Sequence, residues 1–150
     1  MKLYRGLSYI NNNNILENKF LKEPRVPLHT NINIHNVADN WFYNKFGVRA
    51  RSETIFCTTD LHQALRFGYV HKIVPIEDEG IRFIYSPNVI DLIDIQEDIE
   101  ERSEGCYDEK EIVEWLESKY YCIEKSFKDI PSGFKGEIML YCKKYEIKEL

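Results

Sequence analysis

The sequence predicts an α+β fold in a single domain spanning residues 1–150. Strand-like runs stand at both ends and at the centre of the chain. Helical patterns cluster between them, without the regular strand–helix alternation of a parallel α/β sheet. At 150 residues the chain has the size of one ordinary domain with a real core, and no linker or internal repeat divides it.

Lys2 to Ser8 (KLYRGLS) opens as a strand, with Leu3, Tyr4 and Leu7 apolar and Arg5-Gly6 interrupting it. The polar run Asn11 to Asn14 predicts a turn. Ile15 to Leu21 predicts one or two helical turns. Glu23 to Thr30 holds two prolines and is irregular or extended; its Arg25 and His29 are able to line a cleft, but solvent is the preferred assignment. The clearest helix follows, capped by Asn36 and stopped by Gly47, with Val37 and Trp41 facing inward. Thr54 to Cys57 is β-branched, aromatic or small and apolar, which suits a short buried strand. Thr58 and Thr59 end it. Asp60 then caps a short helix, and Gln63 completes a capping-box pattern. Leu61, Ala64 and Leu65 supply that helix's apolar face, and Gly68 ends it. Tyr69 to Pro75 predicts a strand, with Ile81 to Tyr85 as its antiparallel neighbour. Gln96 to Glu104 is acidic and suits a solvated helix or loop. Asp108 caps a second helix whose core stripe is Ile112, Val113, Trp115, Leu116 and Tyr120. Ser126 to Gly136 is a Gly-, Pro- and Ser-rich loop leading into the apolar strand Glu137 to Cys142. A last strand is expected at Tyr145 to Ile147.

Bulk properties exclude several classes. The chain is 43% hydrophobic and 13% aromatic, too apolar for a disordered protein. A net charge of -5 argues against a generic polyanion-coating protein. Cysteines 57, 106, 122 and 142 form no CxxC pair and have no histidine pair beside them, so no metal is expected. Cys57 and Cys142 suit buried free thiols. Met1 to Ile10 contains Arg5 and Ser8 and no apolar core, so no signal peptide is expected there, and no segment reaches transmembrane length. A cytoplasmic protein with no membrane partner is the expectation.

Three strand-associated polar groups stand apart: Arg5 on the first strand, Thr58 and Thr59 at a central strand end, and Glu137 after the flexible loop. As an ordered set they resemble the ADP-ribosyltransferase superfamily. Tyr4-Arg5-Gly6 resembles its first-strand arginine motif. Phe56-Cys57-Thr58-Thr59-Asp60 resembles its aromatic-x-Ser-Thr-Ser strand. Thr59-Asp60, Ala64 and Phe67-Gly68 are similar to the helix start of bacterial and phage members, and Glu137 is similar to the catalytic glutamate.

The resemblance implies a split β-sandwich with flanking helices and NAD-dependent transfer of ADP-ribose to a macromolecule, protein or nucleic acid. A toxin or phage effector in a bacterial host cytoplasm is the implied setting. NAD is implied as substrate and Glu137 as catalytic carboxylate. Arg5, Gly6, Thr58, Thr59, Phe67 and Tyr69 are implied at the cofactor, and Phe134 and Lys135 at the target. A carboxylate suits the oxocarbenium-like centre formed when nicotinamide leaves ribose. An arginine suits the pyrophosphate. A threonine hydroxyl can support either the carboxylate or the ribose. The chain departs from the pattern at Thr58, at Asp60 and above all at Lys135. Arginine-modifying members carry Glu or Gln two residues before the catalytic glutamate, and a lysine there opposes a guanidinium acceptor. The alternatives are a non-catalytic acidic inhibitor of a host enzyme, an NAD hydrolase and an RNA-end phosphotransferase. Glu137→Gln is expected to leave folding almost unaffected.

Overall fold

Strand β1 (Tyr4–Leu7) opens the chain but lies in the interior of the sheet. The computed structural model describes residues 1–8 and 13–150, so the turn expected at Asn11 to Asn14 lies partly outside the described residues. The other seven strands of this antiparallel sheet are β2 (Ile15–Glu17), β3 (Ile55–Thr58), β4 (Tyr69–Pro75), β5 (Arg82–Tyr85), β8 (Cys122–Glu124), β9 (Glu137–Tyr141) and β10 (Lys144–Lys148). Their order is β2-β10-β4-β1-β3-β9-β5-β8. A separate small hairpin joins β6 (Glu101–Ser103) to β7 (Cys106–Tyr107). The chain is thus a mixed α+β unit on a large antiparallel sheet.

The sheet has a seam. β1 pairs with β4 at four positions but with β3 at one, Tyr4 opposite Thr58. Side chains from both sides of the seam share one buried cluster: Leu3, Ile73 and Ile147 from one half, Ile55, Phe83, Ile138 and Leu140 from the other. Among the described residues no α-helix contributes to this cluster, so the two halves of the sheet cover one another. A second cluster lies beneath the helices. It packs Ile34, Ala38, Trp41 and Phe42 of α1 (Ile32–Phe46) and Ile112, Trp115 and Leu116 of α4 (Glu109–Ser118) against Ile84 and Met139 of the sheet.

Most elements fall where the residues predict them, and the exceptions have physical causes. α1 starts after Asn31, not after Asn36, because the Asn31 side chain already accepts the N–H groups of Asn33 and Ile34 at 2.9 and 3.1 Å. It ends as expected at Gly47, at φ 75°. Ile15 to Leu21 is a strand followed by a single 3-10 turn. β5 pairs with β9 and β8, not with β4, whose two edges are filled by β1 and β10. The acidic stretch folds into the short helix α3 (Ile95–Asp98) and the β6-β7 hairpin. Asp108 caps α4 by accepting the Glu111 N–H. Tyr120 lies past the helix end at φ 57° and is exposed, while Tyr121 takes the buried place. In α2 (Leu61–Leu65) only Ala64 is buried. Cys57 and Cys142 are buried free thiols. Among the described residues no helix is long and apolar enough to cross a membrane, and no His, Cys, Asp and Glu cluster could hold a metal ion.

Candidate functional site

Phe56, in the middle of β3, connects the polar groups near the seam. Its carbonyl accepts an Arg5 guanidinium N–H at 2.8 Å. The guanidinium carbons of Arg25 and Arg51 lie 3.5 and 4.0 Å from its ring centroid, within cation–π range. Arg25 also lies 4.0 Å from the ring centroid of Phe20.

Arg51 is held from behind by α1. The buried Asp39 carboxylate accepts the backbone N–H groups of Arg51 and Ser52, both at 3.0 Å, and the Ser52 hydroxyl at 2.7 Å. That turn in turn fixes Arg25, whose backbone N–H donates to the Ser52 carbonyl and whose guanidinium donates to the Arg51 carbonyl. Arg51 then reaches inward with 3% of its side chain exposed and donates to Glu137 Oε1 at 2.5 Å. Its Nε is buried without a hydrogen-bond partner among the described residues.

Glu137 opens β9. It stands directly opposite Thr58, which stands opposite Tyr4, so Tyr4, Thr58 and Glu137 form one row across the seam. Paired residues of an antiparallel ladder share a face. Burial pushes the Glu137 carboxyl up, and Arg51 pulls it back. Its second oxygen carries no hydrogen bond among the described residues. His35 on α1 is also buried, and its pKa is lowered by burial first, with Arg51 and Arg25 adding to that and Asp39 opposing it.

The residues singled out in the sequence separate into groups. Thr58 and Glu137 are neighbours. Arg5 connects to them only through Phe56 and Arg51, and no hydrogen bond or ion pair joins it to Glu137 among the described residues. The Thr58 hydroxyl is not directed at the carboxylate. It donates to Gln63 at 2.6 Å and accepts the Asp60 N–H. Gln63 is therefore taken out of the expected capping box and donates its amide to the Ile90 carbonyl. Thr59 is engaged structurally, its hydroxyl donating to the Phe134 carbonyl at 2.6 Å. The space beside Gly6 is filled by protein. A Cβ there would stand 2.5 Å from the Ala64 carbonyl oxygen and 2.8 Å from the Phe67 carbonyl carbon, so the glycine admits the end of α2 against β1. Phe67 and Tyr69 are 49% and 54% exposed, and the Phe67 ring lies 6.5 Å from that of His29. Phe134 turns inward onto buried Tyr85, with ring centroids 5.0 Å apart, while Lys135 is exposed. Lys135 and Glu137 do not share an extended strand, because Gly136 between them sits at φ 152° ahead of β9.

Arg51, Asp39 and Phe20 were not singled out. Arg51 lies in a charged cluster just ahead of a buried strand, and that position was its one signal. Arg25 was named as able to line a cleft but was assigned to solvent, because its position between prolines looks like that of a surface residue. Elsewhere, Asp98, Glu100, Glu111 and Glu114 line an open acidic groove over Ile99 and Trp115. Comparison with family models, with curated proteins and with solved structures finds no match for this chain.

Proposed function

We propose that this protein transfers ADP-ribose from NAD to a macromolecular acceptor, with Glu137 as the carboxylate that stabilises the transition state. One observation carries the reading. Glu137 stands one strand from the seam of an antiparallel sheet, with one oxygen fixed by a buried arginine and the other without a hydrogen bond among the described residues. A fixed anion in a partly desolvated site needs little reorganisation when positive charge develops beside it. The free oxygen is available to a ribose hydroxyl. As the C1′–N bond breaks, nicotinamide leaves with the bonding pair. The acceptor's lone pair forms the new bond to C1′, and the acceptor loses its proton. The two half-sheets sharing a core support the split β-sandwich of the ADP-ribosyltransferases. Lys135, exposed and two residues ahead of Glu137 in the chain, disfavours a guanidinium acceptor by charge. A neutral or anionic nucleophile of a host macromolecule fits better.

The test is release of nicotinamide from labelled NAD in the presence of host extract. Wild-type protein releases it, and Glu137→Gln lowers the rate about a hundredfold. Equal rates in a folded variant remove Glu137 from the chemistry. Absence of release by the wild type overturns the transferase reading.

A further inference from the structure

We infer that Arg25 is the core of a built phosphate-binding site, taking the phosphate or diphosphate group of a nucleotide ligand. The inference deepens the reading above, yet it stands on different residues and can fail separately.

The first support is a charge surplus. Arg25 and Arg51 stack on the Phe56 ring and Arg5 donates to its carbonyl, and among the described residues the one carboxylate in an ion pair with any of them is Glu137, on Arg51. Asp39 lies behind the turn and directs its oxygens to backbone N–H groups, to Ser52 and toward Arg49. Glu137 is matched to Arg51, which leaves the guanidinium groups of Arg5 and Arg25 without an ion pair among the described residues, in a partly buried place. Such charges are costly unless an anion joins them.

The second support is preorganisation. Arg25 is fixed over two rings, Phe20 and Phe56, and by hydrogen bonds from its own backbone and guanidinium to the 51–52 turn. A guanidinium held this way loses little freedom on binding and presents the remaining N–H groups as a rigid fork suited to phosphate oxygens. The Arg51 carbonyl accounts for one donor, and no other acceptor meets the guanidinium among the described residues. Another donor, Nε of Arg5, is buried and also without a hydrogen-bond partner among the described residues.

Titration agrees with this geometry. Burial first, then the charges of Arg5 and Arg51, pull the Arg25 pKa down to about 9. It remains charged at neutral pH, and a bound phosphate relieves the repulsion.

The experiment measures binding and thermal midpoint with inorganic pyrophosphate, with ADP-ribose and with adenosine. Nicotinamide release from NAD is followed in parallel. Both phosphate ligands bind the wild type saturably and raise its midpoint, whereas adenosine, which lacks phosphate, does not. Response to pyrophosphate alone identifies a free-phosphate site, and response to both identifies a nucleotide diphosphate site. Arg25→Gln weakens both by about tenfold or more. Arg25→Lys, which keeps the charge and loses the fork, gives a smaller loss and serves if the glutamine variant does not fold. Wild-type protein unaffected by either phosphate ligand, or variants that bind both as tightly as wild type, overturn the inference. Phosphate binding without nicotinamide release overturns the transferase reading and leaves this site standing. Release with an unchanged KM in Arg25→Gln overturns this site and leaves that reading standing.

Discussion

Arg51 donates to Glu137 at 2.5 Å with 3% and 11% of the two side chains exposed, so neither charge has ready access to water as compensation. Removing one partner strands the other, a loss of about 3 kcal/mol for a buried pair. The buried pair argues against the expectation that Glu137→Gln leaves folding almost unaffected. The glutamine variant should unfold at markedly lower denaturant, and Arg51→Met combined with Glu137→Gln should recover much of that loss. Equilibrium urea denaturation of the two single variants and the double variant checks it, and strict additivity would mean the pair is not coupled. The pair thus couples stability to the proposed chemistry, so rate measurements on Glu137 variants need a folding control. His35 adds a pH response of known sign. Its folded pKa lies below the ordinary 6.5, with burial the main cause. The folded state therefore prefers the neutral ring, and stability is complete above that value. Stability falls as pH drops from there through the folded pKa, by at most about 1.4 kcal/mol per pH unit for one proton. Denaturation series between pH 5 and 8 should show this slope in the wild type and lose it in His35→Gln.

At the scale of elements, α2 is held more by backbone proximity than by an apolar face. Leu65 and Phe67 are exposed, and only Ala64 is buried. What seats the helix is the missing side chain of Gly6, since a Cβ there would meet the Ala64 and Phe67 backbone at 2.5 and 2.8 Å. Gly6→Ala should cost about 1–3 kcal/mol through overpacking. It should also loosen Thr58, because the Gln63 partner of its hydroxyl rides on α2. Chemical denaturation gives the first effect, and amide exchange at residues 58–65 gives the second. A variant as stable as wild type would show that α2 moves aside without cost. α1 has a comparable double role. Its inner face packs the core while Asp39 fixes the turn that aims Arg51 and anchors Arg25. A small shift of that helix would be felt by both arginines.

For the molecule as a whole, the legible part is what periodicity and local chemistry encode. Tyr69–Pro75 matches its predicted bounds because alternation and flanking turn residues agree. α4 announces itself through Asp108 and an apolar stripe. The start of α1 misleads because Asn31 and Asn36 are both competent caps, and the choice depends on burying Ile34 in the core. The pairing of β5 with β9 was hidden, since sequence neighbours are the default partners and only the finished sheet shows that both edges of β4 are occupied. At the candidate site, Glu137 and Thr58 could be found because strand ends deliver polar groups. Arg25 could be named as able to line a cleft but not preferred over solvent, because Phe20, Phe56 and the 51–52 turn converge on it only in three dimensions.

The order of the strands has a consequence for how the chain is made. β9 sits between β3 and β5 in one half-sheet, and β10 sits between β2 and β4 in the other. They are the last two described strands along the chain, so neither half can close while residues 137–148 are still unsynthesised. Until then the nascent polypeptide holds unfinished edges of the kind that chaperones shield. Long-range pairing of this sort is slow to form. Glu137 arrives on the strand that completes its own support, so under the proposed function a partly translated chain is inert, and activity begins only when the scaffold is whole.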